Sequence, residues 1–161
     1  EVFKDMLALR KKMLLIDYNI QFPCMGQGKC PLEGTPDWCH QSIKTSLDFE
    51  LESLSQVAKL DRKVMPATIH FYALNDEAKA TPESQVQVAR IIRLKRIVKH
   101  AFLWEVCTTE NKKVTLEVPK KLFSKKEAKE LEGISTGVGV EYSIAKELPD
   151  GSQRVESLTF L

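Results

Sequence analysis

The sequence contains no long apolar run, and none of its stretches approaches the roughly 18 apolar residues that a membrane-spanning helix needs, so we expect no membrane partner. It also has no internal repeats and no low-complexity segment, which excludes a repeat array. No paired carboxylates and no Ser/His/Asp constellation stand out, so no catalytic residue is predicted. The chain has little net charge, because 24 Lys and Arg side chains are balanced by 22 Asp and Glu side chains.

The hydrophobic pattern changes its period along the chain, which predicts an α+β protein. Helical spacing predicts helices at residues 2–15 and 47–58, with strands at 17–22 and 68–74. Beyond a linker-like segment at 75–83, alternation with a period of two predicts five strands, at 88–95, 101–107, 113–118, 139–146 and 154–160. Ser124 and Glu127 form a capping-box signal for one short helix between the third and fourth of these. We therefore expect two units, 1–76 and 87–161, the second a small OB-like β-barrel.

Three of the four cysteines, Cys24, Cys30 and Cys39, lie in one loop (23–40) rich in glycine and proline, and the fourth, Cys107, lies on a predicted strand. Disulfides need an oxidising compartment, and buried structural cysteines usually lie on regular elements. Four converging thiolates suit Zn²⁺ or an iron–sulfur cluster. The wide spacing favours a cluster slightly, and His40 is an alternative fourth ligand in place of Cys107. A metal-free domain with reduced cysteines is the remaining alternative.

Basic residues outnumber acidic ones between residues 90 and 129. The densest group lies on and just after the first barrel strand, and we predict that it contacts nucleic acid: Arg90, Arg93, Lys95, Arg96 and Lys99. Phe102 and Trp104 lie nearby and are candidates for stacking on bases. The alternative is a solvated edge strand whose lysines prevent aggregation. The two faces of the strand share these charges, so they form one stripe only if the chain bends near Arg96.

The cysteine loop resembles the signature of a known family in three short motifs: Pro23-Cys24, Cys30-Pro31-Leu32 and Asp37-Trp38-Cys39-His40. These residues are similar to those of the mitochondrial small-ribosomal-subunit methyltransferase-like family, which also has bacterial members. Glu105-Val106-Cys107-Thr108 looks like the family's later cysteine position. The resemblance covers residues 1–118. Met25-Gly26 departs from the family's pattern, and so does the stretch after Lys120, which leaves the role of the C-terminal hairpin open.

The resemblance implies that residues 1–76 end a class I methyltransferase-like fold. It further implies a [4Fe–4S] cluster on Cys24, Cys30, Cys39 and Cys107, and a role in assembling the small ribosomal subunit through contact with ribosomal RNA. The protein is then expected in the cytoplasm if bacterial and in the mitochondrial matrix if eukaryotic. The main alternative is a zinc-stabilised nucleic-acid-binding module with no methyltransferase relation.

A methyltransferase also needs a strand, a glycine-rich turn and a helix to hold S-adenosylmethionine. The glycine-rich stretch from Gly133 to Gly139 follows a predicted helix instead of a strand, so it does not fit that role. The chain begins without methionine, in what looks like the middle of a helix. We therefore expect a C-terminal portion of a longer protein, in which S-adenosylmethionine binds elsewhere and this portion alone is inactive. No obligate oligomer is predicted.

Overall fold

The computed structural model describes residues 2–16, 18–22, 24, 26–35, 41–44, 48–59, 64–67, 69–74, 86–133 and 136–161. None of the helices in these ranges is both long and apolar enough to cross a membrane. The described residues form an α+β protein with a closed five-stranded β-barrel, as predicted. They do not test the expected methyltransferase-like fold, which stays a prediction.

The elements that precede the barrel are two helices and four short strands. In chain order they are α1 (Val2–Leu15), β1 (Tyr18–Phe22), β2 (Gln41–Lys44), α2 (Phe49–Val57), β3 (Val64–Ala67) and β4 (Phe71–Leu74). β1 pairs antiparallel with β4, and β2 pairs antiparallel with β3. Since a two-stranded sheet is marginal alone in water, the first sheet depends on packing. Ile20 of β1 is 1% exposed and supplies part of it.

The barrel is built from five strands: β5 (Gln87–Ile97), β6 (Ala101–Thr108), β7 (Lys113–Pro119), β8 (Gly139–Glu147) and β9 (Gln153–Phe160). Between β7 and β8 the chain forms a short 3-10 helix (Lys120–Leu122) and α3 (Lys125–Leu131). Neighbours around the barrel follow the order β5-β6-β7-β9-β8, and β8 closes on β5. All pairs are antiparallel except β7 with β9. The predicted small five-stranded β-barrel is therefore confirmed. Its Greek-key strand order resembles that of an OB fold.

The barrel core is made by inward-facing residues that alternate along the strands, as the period of two predicts. Phe102, Trp104 and Val106 of β6 are all 0% exposed. The rings of Phe102 and Trp104 stack with centroids 5.9 Å apart. The prediction that these two rings stack on bases is therefore wrong, because both lie inside the barrel.

Local signals place the barrel's turns and its helix. The Ser124 hydroxyl accepts from the Glu127 N–H at 3.2 Å, and the Glu127 carboxylate accepts from the Ser124 N–H at 2.8 Å, which confirms the capping box. Between β6 and β7, Asn111 takes φ of 58°, a left-handed conformation that asparagine tolerates better than most residues. Gly151, with φ of 78°, turns the chain between β8 and β9.

Candidate functional site

Cys24 and Cys30 lie close enough to influence each other electrostatically. Burial raises the pKa of the Cys30 thiol, and the charge of Cys24 raises it further, whereas the backbone N–H of Leu32 and the Arg10 guanidinium oppose the rise. Both cysteines are half-buried and neither forms a disulfide. Of the four predicted ligands, Cys24 and Cys30 therefore lie within electrostatic reach of each other.

Arg10 of α1 holds the backbone between these two cysteines. Its side chain is 4% exposed, and its Nη2 donates to the carbonyl oxygens of Gly26, at 3.1 Å, and Gly28, at 2.5 Å. A buried guanidinium needs such acceptors, since an unpaired buried charge is strongly unfavourable. The charge of Arg10 thus lies near the Cys30 thiol, where it favours the thiolate. The helical pattern alone did not single out this residue.

The barrel holds the same stretch from the other side. In the orientation that satisfies both of its atoms, the Asn111 amide donates Nδ2–H to the Gly26 carbonyl at 3.1 Å and accepts from the Gly28 N–H at 2.8 Å. A Cβ on Gly26 would lie 2.1 Å from the carbonyl oxygen of Thr109, so no larger residue fits there without a shift. The close approach of Thr109 therefore requires glycine at position 26.

Gln27 connects the stretch to β1. Its side-chain amide accepts from the Ile20 N–H at 2.7 Å and donates to the Ile20 carbonyl at 2.6 Å, which imitates a strand partner. The segment 26–28 is thus bound by a helix, by a barrel turn and by a short sheet. We call residues 24 and 26–30 with these three contacts the docked loop.

Cys107 lies on β6, opposite Arg90 of β5, and its side chain is half-buried. Its sulfur approaches the carbonyl oxygen of Thr108 at 3.8 Å. Among the described residues, no three His, Cys, Asp or Glu side chains come together as a metal site. Cys39, with Trp38 and His40, lies outside the described residues. The four-cysteine ligand set therefore stays a prediction.

His70 and Tyr72 lie beside the docked loop. The His70 Nδ1 and the Tyr72 hydroxyl are 2.9 Å apart. Burial lowers the pKa of His70, and the charges of Arg10 and Arg90 lower it further. Burial also raises the pKa of Tyr72, to which the charge of Cys24 adds. Tyr72 thus lies within electrostatic reach of Cys24, and Arg10 lies within reach of Cys30, His70 and Tyr72.

The predicted nucleic-acid residues divide into different environments. Arg90 is 2% exposed, so its guanidinium does not reach the surface, and we leave it out of the proposed RNA contact. Arg93 Nε donates to Glu105 Oε2 at 2.6 Å, and Lys95 Nζ lies 3.7 Å from Glu105 Oε1. Arg96 and Lys99 are exposed. The contact of these four surface residues with RNA stays a prediction.

Comparison with known proteins gives one family. The model of the family described as "Mitochondrial small ribosomal subunit Rsm22" matches residues 2–153. That match covers the docked loop and nearly the whole barrel. No curated protein and no solved structure matches the chain.

Proposed function

The chain belongs to the mitochondrial small ribosomal subunit Rsm22 family, a methyltransferase-like family, and from that membership we propose a function for its two parts. Cys24, Cys30, Cys39 and Cys107 bind a structural [4Fe–4S] cluster. The barrel contacts ribosomal RNA while the small subunit is assembled. The protein acts as part of an S-adenosylmethionine-dependent, methyltransferase-like protein, in the mitochondrial matrix if the source is eukaryotic.

The observation that supports the cluster most strongly is the position of the docked loop. It holds Cys24 and Cys30 near each other and lies against residues 109–111, which follow Cys107 by two to four positions. The contact between the loop and the turn that follows β6 supports a ligand set drawn from two distant parts of the sequence. Thiolates repel each other and are stabilised by a shared soft cation. The nearby guanidinium groups of Arg10 and Arg90 would partly offset the negative charge of a thiolate-bound cluster.

The cluster's role in this proposal is mechanical. It joins the loop to the barrel across a long interval of sequence, and metal loading then contributes to folding. The hydrogen bonds of Asn111 and Arg10 orient the loop backbone without contacting the metal. Methyl transfer itself is not assigned to this chain, because its glycine-rich stretch at 133–139 follows α3 instead of a strand.

The test is anaerobic purification of the whole chain followed by analysis of iron, sulfide and zinc, with the visible absorption spectrum. A brown protein with about four iron and four sulfide per chain supports the cluster. A colourless protein with one zinc supports the alternative, a zinc-stabilised nucleic-acid-binding module. Oxygen must be excluded throughout, since zinc could replace a lost cluster. A protein with neither metal would overturn both.

Cys39→Ser provides the matching variant. We expect it to lower metal content and solubility together, because a missing ligand loosens the connection between loop and barrel. Lys29→Gln is the control, since Lys29 is exposed, lies next to Cys30 and carries no ligand atom in the proposal. Full metal content and unchanged stability in Cys39→Ser would contradict the mechanical role.

A further inference from the structure

We propose that a groove on the outer face of the barrel binds the phosphate backbone of RNA without reading its sequence. This inference rests on the proposed ribosomal RNA contact and gives it a location. The groove encloses about 600 Å³ and adjoins a smaller one of about 400 Å³. The two share Lys99, His100, Glu117 and Arg154, so they form one continuous surface, which we call the basic groove.

The basic groove lies where β6, β7 and β9 meet. Its floor comes from outward-facing residues such as Leu103, Thr115 and Glu117, while their neighbours Trp104 and Leu116 point into the core. The turn between β5 and β6 forms one wall, and the turn at 150–152 forms the other. In an OB fold the second and third strands, with the loops that join strands one to two and four to five, bind oligonucleotides. The basic groove occupies that surface.

Its charge differs from that of the whole chain. Six lysine and arginine side chains line the basic groove against two carboxylates, whereas the chain has 24 basic and 22 acidic residues. The basic residues are Lys95, Lys99, Lys113, Lys120, Lys121 and Arg154. Such a concentration of one sign on a concave surface raises the local attraction for an anion.

The two carboxylates are already engaged within the protein. Arg154 donates to Glu117 through Nε at 2.8 Å and also through Nη2. Asp150 accepts from the N–H of Ser152 at 3.0 Å and from its hydroxyl at 2.6 Å, and these bonds lower its pKa. Arg154 and Glu117 offset each other, which leaves the lysines to give the groove its positive sign.

The side chains also indicate which part of the nucleic acid is bound. Among the described residues that line the basic groove, none is Phe, Tyr or Trp. Base stacking on such rings is the usual sequence-tolerant contribution to single-strand binding, and in the described lining the imidazole of His100 is the only aromatic ring. The lysines then act on phosphates, and affinity should fall steeply with salt because counterions are released.

The test measures fluorescence anisotropy of a labelled oligouridine of roughly 15 nucleotides with the whole chain, over a series of salt concentrations. Lys99→Gln with Lys113→Gln removes two charges from the groove. We expect affinity to fall about tenfold at low salt and the slope of log K against log salt to lessen by about 1.4. Lys125→Gln with Lys126→Gln is the control, since these exposed α3 residues lie outside the lining, and we expect a change within about twofold.

Glu117→Gln tests the same groove in the opposite direction. It removes a negative charge and releases Arg154, so affinity should rise several-fold, and circular dichroism checks that the barrel is intact. Oligoadenosine and a short RNA duplex serve as second ligands. Equal loss with both single strands supports binding to the backbone, and loss with the duplex shows that base-paired RNA uses the same groove.

The proposed RNA binding in the basic groove is refuted if the chain with Lys99→Gln and Lys113→Gln binds RNA as tightly as the control variant. It is also refuted if the unmutated chain does not bind RNA at low salt. Iron and sulfide are measured on the same samples to separate this outcome from failure of the cluster. A chain with its cluster and no groove-dependent binding refutes the groove alone. A chain without a cluster whose binding still depends on Lys99 and Lys113 refutes the cluster alone.

Discussion

The carbonyl oxygen of Gly26 and the amide nitrogen of Asn111 lie 3.1 Å apart, and this contact joins the docked loop to the barrel. The two residues are far apart in the sequence, yet each has the property that the contact needs. Gly26 permits the close approach of Thr109, and Asn111 adopts a left-handed backbone conformation in the turn. The cysteines of the loop are positioned by residues that bind no metal in our proposal.

Replacing Asn111 tests how much this contact stabilises the loop. Asn111→Asp keeps the acceptor for the Gly28 N–H but directs a carboxylate oxygen at the Gly26 carbonyl. We expect the free energy of unfolding to fall by about 1–3 kcal/mol, because an acceptor then faces an acceptor in a buried place. Chemical denaturation of the variant and the parent measures the difference.

Asn111→Gly is the matched control for that substitution. Glycine tolerates the positive φ of 58° and removes both hydrogen bonds without adding a charge. It should therefore destabilise less than aspartate does. Equal loss in the two variants would mean that repulsion at Gly26 contributes nothing, and no loss in either would show that the amide does not hold the loop.

Gly26→Ala tests the close packing of the loop on the barrel turn. The added Cβ would lie 2.1 Å from the Thr109 carbonyl oxygen, so loop or turn must move. We expect faster tryptic cleavage after Lys29, which is exposed within the docked loop, and lower metal content. Gly133→Ala is the control, since its Cβ would meet no atom closer than 3.7 Å. Unchanged cleavage in Gly26→Ala would contradict the docking.

Arg93 and Lys99 should differ in what they contribute. Glu105 is 5% exposed and is paired with Arg93. Arg93→Gln leaves this carboxylate with Lys95 alone, so we expect a loss of about 1 kcal/mol in stability. Since Arg93 lies outside the lining of the basic groove, its loss should lower RNA affinity less than the loss of Lys99 does. Lys99→Gln should do the reverse, because Lys99 is exposed and lines the basic groove. Unfolding and RNA binding are measured on both variants. If Arg93→Gln lowered RNA affinity more than Lys99→Gln, the prediction that Arg93 acts mainly on stability would be contradicted.

The sequence predicts the barrel well because the signals involved are local. Alternating residues along β6, the turn at Asn111 and the capping box at Ser124 each specify their own segment. The antiparallel pair of β2 and β3 was not predicted. Pro66 lies inside β3 and indicates a strand boundary, and the two strands pair across an intervening helix, so no short-range pattern reveals them.

The burial of Arg90 and the composition of the basic groove depend on the tertiary structure. On β5, Arg90, Ile91 and Ile92 are all buried, because both faces of the strand are covered there. A register shift between Leu94 and Arg96 then changes which side chains face outward. It lies near Arg96, where the basic residues of this strand would share one face only if the chain bends. The residues that line the groove are spread from 95 to 154 in the sequence, so a search for local runs of basic residues identifies only some of them.

Tyr142 makes the stability of the barrel sensitive to alkaline pH. It is 1% exposed, its hydroxyl has no hydrogen-bond partner among the described residues, and burial, with the charge of Glu110, raises its pKa to about 12. Since the folded-state pKa lies above the unfolded value of about 10, the unfolded chain ionises first. The contribution of the neutral Tyr142 hydroxyl to the free energy of unfolding is then fully present below about pH 10 and is lost as the pH rises toward about 12.

Tyr142→Phe should flatten this decline in urea unfolding curves and raise stability at neutral pH by about 1 kcal/mol, since no buried hydroxyl is left unpaired. Tyr18→Phe, outside the barrel, should keep the parent's decline, and a Tyr142→Phe curve parallel to the parent's would show that this hydroxyl does not control it.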